Sequence, residues 1–413
     1  MNIGFIGIGK LGMACAEVVA QGGHTVKGYD IDQRASDYIE VVDSIESCVK
    51  DSRIVFVAVP TPHDPEYDGQ TPIEGLTPKD FNYDTVKAVL QEADKYMRNY
   101  QLLVLISTVL PGTTRREFIP LINNARFVYN PYLIAMGSVE WDMINPEMVM
   151  IGTEDGEETG DALELVEFYK TIMENDPRYV IGTWDECECI KVFYNTWIST
   201  KIGLVNMIQD VAERQGNINV DVVTRALADS NMRIMSAQYM KAGMGDGGSC
   251  HPRDNIALRY MAEKLDLQYD LFHSIMFARE KQASNLANKL MELAQDNNTS
   301  TIFIHGKAYK PDVPYTDGSY SVLIGHYVEK AGFDVKYIDP LTGDSFDPTE
   351  PGVFLLAHSA STTYKYTGKK HEEKLYCDIP DGSIVVDPWR NYHNPKCTVI
   401  HYGNTRGFIG QAK

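Results

Sequence analysis

The most informative stretch for chemistry is GDGGSCHPRD, residues 245–254, where a cysteine stands among glycines. Glycines let a backbone come close to a ligand, and a thiol becomes nucleophilic only where cations or helix-end dipoles stabilise its thiolate. Arg253 and the more distant Lys191 are cations that could do so, whereas Asp254 opposes it and is expected to orient a lysine or a water. We therefore expect Cys250 to be a reactive thiol.

Three glycines near the start of the chain, Gly7, Gly9 and Gly12, form G-x-G-x-x-G directly after the first predicted strand. Such glycines allow a tight turn and a close approach to a pyrophosphate at a helix N-terminus. Asp30 closes the second predicted strand 18 residues after Gly12, where a carboxylate accepts hydrogen bonds from a ribose diol. The pattern predicts dinucleotide binding, and the acid favours NAD over NADP, although Arg34 lies nearby.

Two loops stand where predicted strands end, which is the edge on which open α/β sheets bind ligands. They read VAVPTP (57–62) and STVLPGTT (107–114). In the first loop, the proline residues are equally consistent with ligand binding and with an ordinary turn at the end of a strand. In the second, the Thr108 hydroxyl could hold a water or a substrate oxygen, which favours a function.

A predicted helix carries Lys191 and Asn195 four residues apart, on one face. Polar side chains among apolar neighbours need partners, because an unpaired buried polar group is costly. Those partners are either a ligand or the backbone. Glu188, one turn earlier, is expected to be a salt-bridge partner.

Charge and cysteine content exclude several classes of protein. The formal net charge is −19 and the pI about 4.9, so the average field repels nucleic acid and anionic lipid. Seven cysteines scattered over 413 residues argue against a disulfide framework, and the C-x-C pair at Cys187 and Cys189 lacks the second cluster that a zinc site needs. No metal is expected. With neither a charged leader nor a bilayer-length apolar run, the sequence predicts a cytoplasmic protein without membrane partners.

Apolar runs bounded by Gly, Pro or polar residues predict strands in the first and last thirds of the chain. They are 3–9, 25–31, 54–60, 102–108, 126–131 and 148–153, then 301–307, 333–339, 353–359, 383–389 and 398–403. Between them strand signals are almost absent and helical periodicity prevails. The fold class is therefore α/β, with two Rossmann-like parallel-sheet domains joined by a central helical segment.

The central segment contains one long helix whose apolar residues surround nearly its whole circumference. They are Ile190, Phe193, Tyr194, Trp197, Ile198, Ile202, Leu204, Val205 and Ile208. Such a helix is expected to be buried on several sides, between two domains or between two subunits. We predict a homodimer or a higher homo-oligomer formed through it.

Taken together, these pieces resemble the UDP-glucose/GDP-mannose dehydrogenase family almost from end to end. The matching stretches are GIGKLG, VAVPTP, STVLPGTT, NPYLIAMGS, INPEMVMIGT, ECIKVFYNTWISTKIGLVN, KAGMGDGGSCHPRD, GKAYKP, YIDP and VDPWRN. The resemblance implies an NAD-binding domain at 1–182, a central helical domain and dimer interface at 183–295, and a sugar-nucleotide-binding α/β domain at 296–413. It also implies oxidation of a sugar-nucleotide alcohol to a carboxylate, most directly UDP-glucose to UDP-glucuronate.

The family implies a mechanism with two hydride transfers and a covalent intermediate. By matching position, Cys250 attacks the aldehyde, giving a thiohemiacetal and then a thioester that water hydrolyses. Lys191 and Asn195 stabilise the oxyanions, while Asp254 and Thr108 handle the proton or the water. This requires the Cys250 sulfur to reach the nicotinamide.

Cofactor and substrate contacts follow from the same positions. The expected contacts with NAD are Gly7, Gly9, Lys10, Leu11, Gly12, Asp30, Pro60, Thr61, Thr108 and Lys310. Those expected for the sugar nucleotide are Lys191, Asn195, Tyr239, Gly245, Gly247 and Arg390. Lys310 and Arg390 would help to bind the phosphates of the cofactor and the substrate, or would form contacts between subunits.

The chain departs from the family pattern at four positions. The motif P-E-F-L-R-E-G reads PYLIAMG here, so Tyr132 and Met136 replace two glutamates, the first of which is credited with thioester hydrolysis. Asp246 replaces an aromatic residue, and Asp317 replaces an arginine. We expect water positioned by Thr108, Lys191 and Asp254 to hydrolyse the thioester, with Tyr132 a weak helper and Asp246 or Glu140 as possible bases.

Three alternatives stay open from the sequence. GDP-mannose or a UDP-N-acetylhexosamine could be the substrate, although Ser249 before the cysteine favours a hexose. A protein with impaired thioester hydrolysis could also bind NAD and a sugar nucleotide without full turnover.

Overall fold

The computed structural model of the chain describes residues 1–62, 64, 79–134, 137–158, 160–237, 239–248, 250–311, 313–359 and 375–405. Backbone contacts divide the chain into two compact units, Met1–Ile202 and Gly203–Lys413. The boundary falls inside one long helix. The three-part division expected from the sequence stays a prediction.

The first unit is built on an eight-stranded sheet with the spatial order β3-β2-β1-β4-β5-β6-β7-β8. Its strands are β1 (Asn2–Ile6), β2 (Thr25–Tyr29), β3 (Glu40–Val41), β4 (Ile54–Val57), β5 (Leu102–Leu105), β6 (Arg126–Tyr129), β7 (Met148–Thr153) and β8 (Arg178–Thr183). Neighbouring strands are parallel except β6 and β7, which pair antiparallel. All six predicted strands are confirmed, while β3 and β8 are additions that the sequence did not indicate.

Helices cover both faces of this sheet, as a parallel sheet requires. They are α1 (Lys10–Gln21), α2 (Ile45–Val49), α3 (Asp84–Tyr96), α4 (Val139–Ile144), α5 (Gly160–Tyr169) and the start of α6 (Trp184–Gln215). One buried cluster joins α1 and α5 to the strands, with Phe5 stacked on Phe56 at 4.8 Å between ring centroids. A second cluster on the other face joins α3 and the first turn of α6, including Leu90 and Cys187. Both faces of the sheet are thus packed against helices.

The second unit begins with helices and ends with a five-stranded parallel sheet. The helices are α7 (Val220–Ala228), α8 (Cys250–Lys264), α9 (Leu271–Asp296) and α10 (Tyr320–Lys330). The strands, in the spatial order β10-β9-β11-β12-β13, are β9 (Thr301–His305), β10 (Asp334–Ile338), β11 (Val353–Leu356), β12 (Ile384–Asp387) and β13 (Thr398–His401). The five strands predicted for the last third are confirmed, each a few residues shorter.

Helix α6 differs from the expectation that it is buried. Phe193 is 65% exposed and Trp197 54% exposed, and Ile198, Ile202 and Leu204 also lie at the surface. In the part of the chain that the structure describes, the expected burial of these side chains is therefore not observed. The apolar pattern predicts that this face of the helix packs against another surface. It does not distinguish a surface of the same chain from one of a second chain.

Within the described residues, no helix combines the length and the apolar character needed to cross a bilayer.

Candidate active site

The three N-terminal glycines meet three different structural requirements. Gly7 directly follows β1 and has φ +91°, a conformation that favours glycine. A Cβ at Gly12 would lie 1.9 Å from the carbonyl oxygen of Gly7, so only glycine lets α1 approach the strand this closely. A Cβ at Gly9 would meet nothing within 4 Å, so the space beside it is open to a ligand. This is the arrangement by which a pyrophosphate is bound.

The start of α1 is suited to an anion. The N-cap residue is Gly9, which has no side chain. The first backbone amides of α1 therefore receive no capping hydrogen bond from a side chain and can bind a ligand. Lys10, the first helical residue, is exposed, and Leu11 is partly buried against the core. A phosphate at this terminus would meet both the helix dipole and a lysine.

Asp30 follows β2 at the same edge of the sheet, and its side chain is only 11% exposed. Arg34 contacts Asp32 at 2.9 Å and lies 3.8 Å from Asp30. Because the guanidinium is engaged by carboxylates, it is a poor candidate for binding a 2′-phosphate. The residues present therefore fit NAD.

The loops after β4 and β5 are joined to each other. The Thr61 hydroxyl donates to the carbonyl oxygen of Thr108 at 2.7 Å, and the Ser107 hydroxyl donates to that of Val59 at 2.5 Å. Pro60 is exposed next to them. The structure thus brings Pro60, Thr61 and Thr108 together, at the carboxyl ends of neighbouring parallel strands.

Glu188 secures the segment that follows Thr108. Its buried carboxylate accepts hydrogen bonds from the amides of Gly112, at 2.5 Å, and Thr114, at 2.7 Å. The predicted salt bridge is wrong, since these amides are an anion site by themselves. Burial raises the pKa of the carboxyl to about 7, although the hydrogen bonds act in the opposite direction.

Lys191 lies one turn further along α6. Its Nζ donates to the carbonyl oxygen of Tyr132 at 2.7 Å, and burial lowers the pKa of the ammonium group. Asn195 is exposed one turn later. A single carbonyl uses one of the three lysine donors, which leaves capacity for an oxyanion.

The phenol of Tyr132 points into the core. Its hydroxyl hydrogen-bonds to that of Tyr169 at 2.9 Å, and Tyr169 in turn donates to Asn130. Burial raises the pKa of the Tyr132 phenol well above its usual range. The expected helper role in hydrolysis is therefore wrong, because this hydroxyl is satisfied within the fold. Met136, the other replaced glutamate, lies outside the described residues.

In the second unit, Cys250 is exposed and is the first residue of α8. Arg253, one turn along, is 2.9 Å from Asp254 through its Nε. The Asp254 carboxylate, followed by the Cys250 sulfur, raises the pKa of the Arg253 guanidinium. Cys250 thus stands at a helix N-terminus with a guanidinium one turn away. Ser249 lies outside the described residues.

The glycine loop before Cys250 is packed against the loops at the carboxyl ends of the second sheet. A Cβ at Gly245 would lie 2.3 Å from the ring of Tyr320, and one at Gly247 would lie 3.0 Å from the Cβ of Tyr309. A Cβ at Gly318 would lie 2.3 Å from the carbonyl oxygen of Gly248. These glycines are therefore required for packing, in addition to any ligand contact.

Asp246 is bound by a nearly buried arginine. Arg279, whose side chain is 10% exposed, donates through Nε to the Asp246 carboxylate at 2.5 Å. Its Nη2 also donates to the carbonyl oxygens of Asp246 and Gly318. Asp246 is thus part of an ion pair, which argues against the expectation that it acts alone as a base. Glu140 is exposed on α4 in the first unit.

The other residues that the sequence singled out in the second unit are two predicted substrate residues, Arg390 and Tyr239, one predicted cofactor residue, Lys310, and Asp317. Arg390 has φ +59° and donates through Nη2 to the carbonyl oxygen of Ala242 at 2.6 Å, so it holds the start of the glycine loop. Tyr239 has φ +64° and is 78% exposed. Lys310 is exposed, with Nζ 5.3 Å from the ring centroid of Tyr309. Asp317 is exposed.

No local pattern in the sequence singles out Arg279 or Tyr320. Arg279 stands on α9, far along the chain from the cysteine, and only folding brings it to the glycine loop. The one available signal is the carboxylate of Asp246, which stands where the resembling family has an aromatic residue and for which a cation is a natural partner.

The first unit therefore defines a dinucleotide-binding α/β protein by strand order and by glycine geometry. The chain belongs to the UDP-glucose/GDP-mannose dehydrogenase family: the family's NAD-binding domain matches residues 33–173 and its central domain matches residues 185–280. NAD is the cofactor. The matched region begins at residue 33, after the glycine triplet. The role of the triplet in cofactor binding is therefore supported by its geometry alone.

Relatives of known name span most of the chain. A putative UDP-glucose 6-dehydrogenase, YtcA of Bacillus subtilis, is 25% identical over 368 residues, covering 84% of this chain and 79% of its own. The GDP-mannose 6-dehydrogenase of Pseudomonas aeruginosa is 26% identical over 374 residues, covering 82% and 81%. A solved GDP-mannose dehydrogenase structure, also from Pseudomonas aeruginosa, has a TM-score of 0.75 at 21% identity over 97% of this chain and 99% of that one, which supports the fold.

Proposed function

We propose that this protein oxidises the C6 alcohol of a nucleotide sugar to a carboxylate, with UDP-glucose as the expected substrate and UDP-glucuronate as the product. The observation that carries the proposal is the exposed Cys250 at the start of α8, next to Arg253 and on a firmly packed glycine loop. An exposed thiol at a helix N-terminus beside a cation is typical of a nucleophilic cysteine. Its place in an NAD-dependent family supplies the reaction class.

The cofactor would be held by the residues at the edge of the first sheet. The glycine triplet and Lys10 would receive the pyrophosphate, Asp30 the ribose diol, and Pro60, Thr61 and Thr108 the remainder of the dinucleotide. When bound, NAD accepts the two electrons and hydrogen removed from carbon in each oxidation step. Lys310 is a further phosphate candidate.

The protein's own groups would act on the carbon in sequence. The alcohol gives up its proton to a base or to water as it becomes an aldehyde. The Cys250 thiolate then adds to the aldehyde carbon and forms a C–S bond, and Lys191 and Asn195 donate hydrogen bonds to the resulting oxyanion. Oxidation of this thiohemiacetal gives a thioester. Water then adds, the C–S bond breaks, and the carboxylate leaves.

The sugar nucleotide would be bound by Lys191, Asn195, Tyr239, Gly245, Gly247 and Arg390. Arg390 donates to the carbonyl oxygens of Pro388, Tyr402 and Ala242, and its two remaining N–H groups are available to a phosphate. Thr108, Lys191 and Asp254 would position the hydrolytic water.

A panel of sugar nucleotides tests the proposal. UDP-glucose, GDP-mannose and UDP-N-acetylhexosamines are each incubated with the protein and NAD, and absorbance at the NADH band is converted to equivalents per sugar. Two equivalents and a uronate product support the dehydrogenase, and Cys250→Ser should abolish them. Absence of NADH with every sugar would reject it. One equivalent would indicate arrest before the second oxidation.

A second candidate differs only in the last step. Both family glutamates are replaced, and the Tyr132 hydroxyl is satisfied in the core. A protein that binds NAD and a sugar nucleotide but hydrolyses the thioester slowly would accumulate a covalent adduct. Intact-protein mass spectrometry after brief exposure to substrate would detect it, and Cys250→Ala would lack it.

We also propose a homo-oligomer in which a second copy covers the exposed apolar residues of α6, and a cytoplasmic location. The location is supported by the sequence, in which seven cysteines are scattered over 413 residues and do not form the clustered pattern of a disulfide framework.

A further inference from the structure

We infer that His251 is the base that activates water for thioester hydrolysis, with Asp246 and Arg279 as positioning residues. The inference rests on the proposed function, because it concerns the last step of that reaction. In the family, a glutamate at the position of Tyr132 is credited with thioester hydrolysis. In this chain, a residue next to the nucleophile would take over that step.

A chain of ionisable groups begins at the residue that follows the cysteine. His251 directly follows Cys250 in the first turn of α8, and its Nδ1 is 3.9 Å from Oδ2 of Asp246. The other carboxylate oxygen, Oδ1, is bound by Nε of Arg279 at 2.5 Å. One oxygen of Asp246 is thus fixed by a nearly buried arginine while the second faces the imidazole.

Arg279 is held by more than this ion pair. Its Nη2 donates to the carbonyl oxygen of Asp246 at 3.1 Å and to that of Gly318 at 3.0 Å. Its guanidinium carbon lies 5.3 Å from the ring centroid of Tyr320. An arginine with these partners and 10% exposure has few alternative rotamers, so the Asp246 carboxylate has a fixed place.

A carboxylate beside one imidazole nitrogen does two things in a hydrolytic site. It selects the tautomer with the proton on that nitrogen, and it stabilises the imidazolium that forms when the other nitrogen takes a proton. With Nδ1 towards Asp246, Nε2 is the nitrogen that accepts from water. The 3.9 Å separation is longer than a hydrogen bond, and such contacts commonly shorten when substrate binds.

Two other candidate bases, Tyr132 and Asp254, are engaged by other groups. The Tyr132 hydroxyl is bound to Tyr169 and has a pKa well above its usual range because it is buried. The Asp254 carboxylate is bound by Arg253 at 2.8 Å. His251 is 62% exposed at its side chain and can meet a water next to the sulfur.

The step balances without a further reactant. Nε2 of His251 removes a proton from water while the water oxygen bonds to the thioester carbonyl carbon. The tetrahedral intermediate then collapses, the C–S bond breaks with its electron pair returning to sulfur, and the acid is released. The imidazolium returns its proton to solvent. Nothing is oxidised or reduced.

The test is a pre-steady-state comparison of full-length wild type and His251→Gln, with NAD and the sugar nucleotide that wild type oxidises fastest. A general base contributes roughly 100-fold or more to a rate. We expect the variant to keep a burst of two NADH per subunit, to lose about 100-fold in steady turnover, and to carry an acyl adduct on Cys250. Added imidazole should restore hydrolysis in His251→Ala, and Asp246→Asn should show the same burst with a smaller loss.

His326→Gln, at an exposed histidine on α10, is the matched control and should behave as wild type. Because the NADH burst requires a folded enzyme, a normal burst in His251→Gln shows that this variant is folded. Wild-type turnover in His251→Gln, or a lost burst, overturns the inference. If wild type itself forms no NADH with any sugar nucleotide, the proposed function fails first and the inference with it.

Discussion

Glu188 accepts a hydrogen bond from the backbone amide of Thr114 at 2.7 Å, deep in the first unit. A second bond, from Gly112, ties the same carboxylate to the loop that begins at Thr108. Because Lys191 stands one turn later on α6, the helix that carries a proposed oxyanion donor also anchors a proposed water-binding loop. The two parts of the first unit's site are thus set by one helix.

The raised pKa of Glu188 predicts a pH dependence of stability. Burial moves it from 4.5 to about 7, so the folded state binds this proton more tightly than the unfolded state does. The contribution is therefore complete below pH 4.5 and is lost as pH rises through about 7. At 1.36 kcal/mol per pKa unit, the loss between pH 5 and 8 is on the order of 2 kcal/mol.

Urea unfolding of wild type and Glu188→Gln at pH 5 and pH 8 measures this difference. Wild type should lose about 2 kcal/mol relative to the variant over that range. Glu174→Gln, at an exposed glutamate, serves as the control and should follow wild type. Parallel pH profiles for wild type and Glu188→Gln would show that the carboxyl titrates normally.

Alanine substitutions at two glycines should affect two different properties, NAD affinity and stability. Gly9→Ala places a Cβ in open space, so the fold should be unchanged while NAD affinity falls by roughly 10-fold, or about 1.4 kcal/mol. Gly12→Ala forces α1 away from the Gly7 carbonyl and should lower stability by about 2 kcal/mol or more. Thermal unfolding without cofactor and calorimetric titration with NAD separate the two results. Equal stability losses in both variants would contradict the geometry.

Asp30→Asn should weaken NAD binding by about 10-fold, because a neutral amide is a poorer acceptor for the ribose diol. NADP binding should weaken less, since the charge that repels a 2′-phosphate is removed. Titration with both dinucleotides gives the ratio, and Asp37→Asn, at an exposed acid, is the control. An unchanged preference would remove Asp30 from the cofactor site.

The sequence predicted the sheets well because buried parallel strands are nearly continuous apolar runs, which periodicity detects. It missed β3, which has only two residues, and β8, whose first residues are partly exposed. The strands are shorter than predicted because residues such as Gly7 leave the sheet at positive φ.

For the site, spacing found the residues that lie close together in the chain. It could not find Arg279, which reaches Asp246 from 33 residues away, nor the backbone amides that replace a basic partner at Glu188. It also assigned Tyr132 a helper role, because the direction of a side chain depends on packing. Tertiary contacts of these kinds leave no trace in local patterning.

The exposed face of α6 yields a final prediction. Trp197 is 54% exposed with Phe193 one turn away, and a surface this apolar is stable in water only when another surface covers it. If a second copy of the chain does so, Trp197→Glu should shift the protein from dimer or larger to monomer in sedimentation velocity. Glu158→Lys, at an exposed position in the first unit, should not. A wild-type monomer at micromolar concentration would contradict the prediction, whereas a monomeric variant that still binds NAD would show that the interface and the cofactor site are separable.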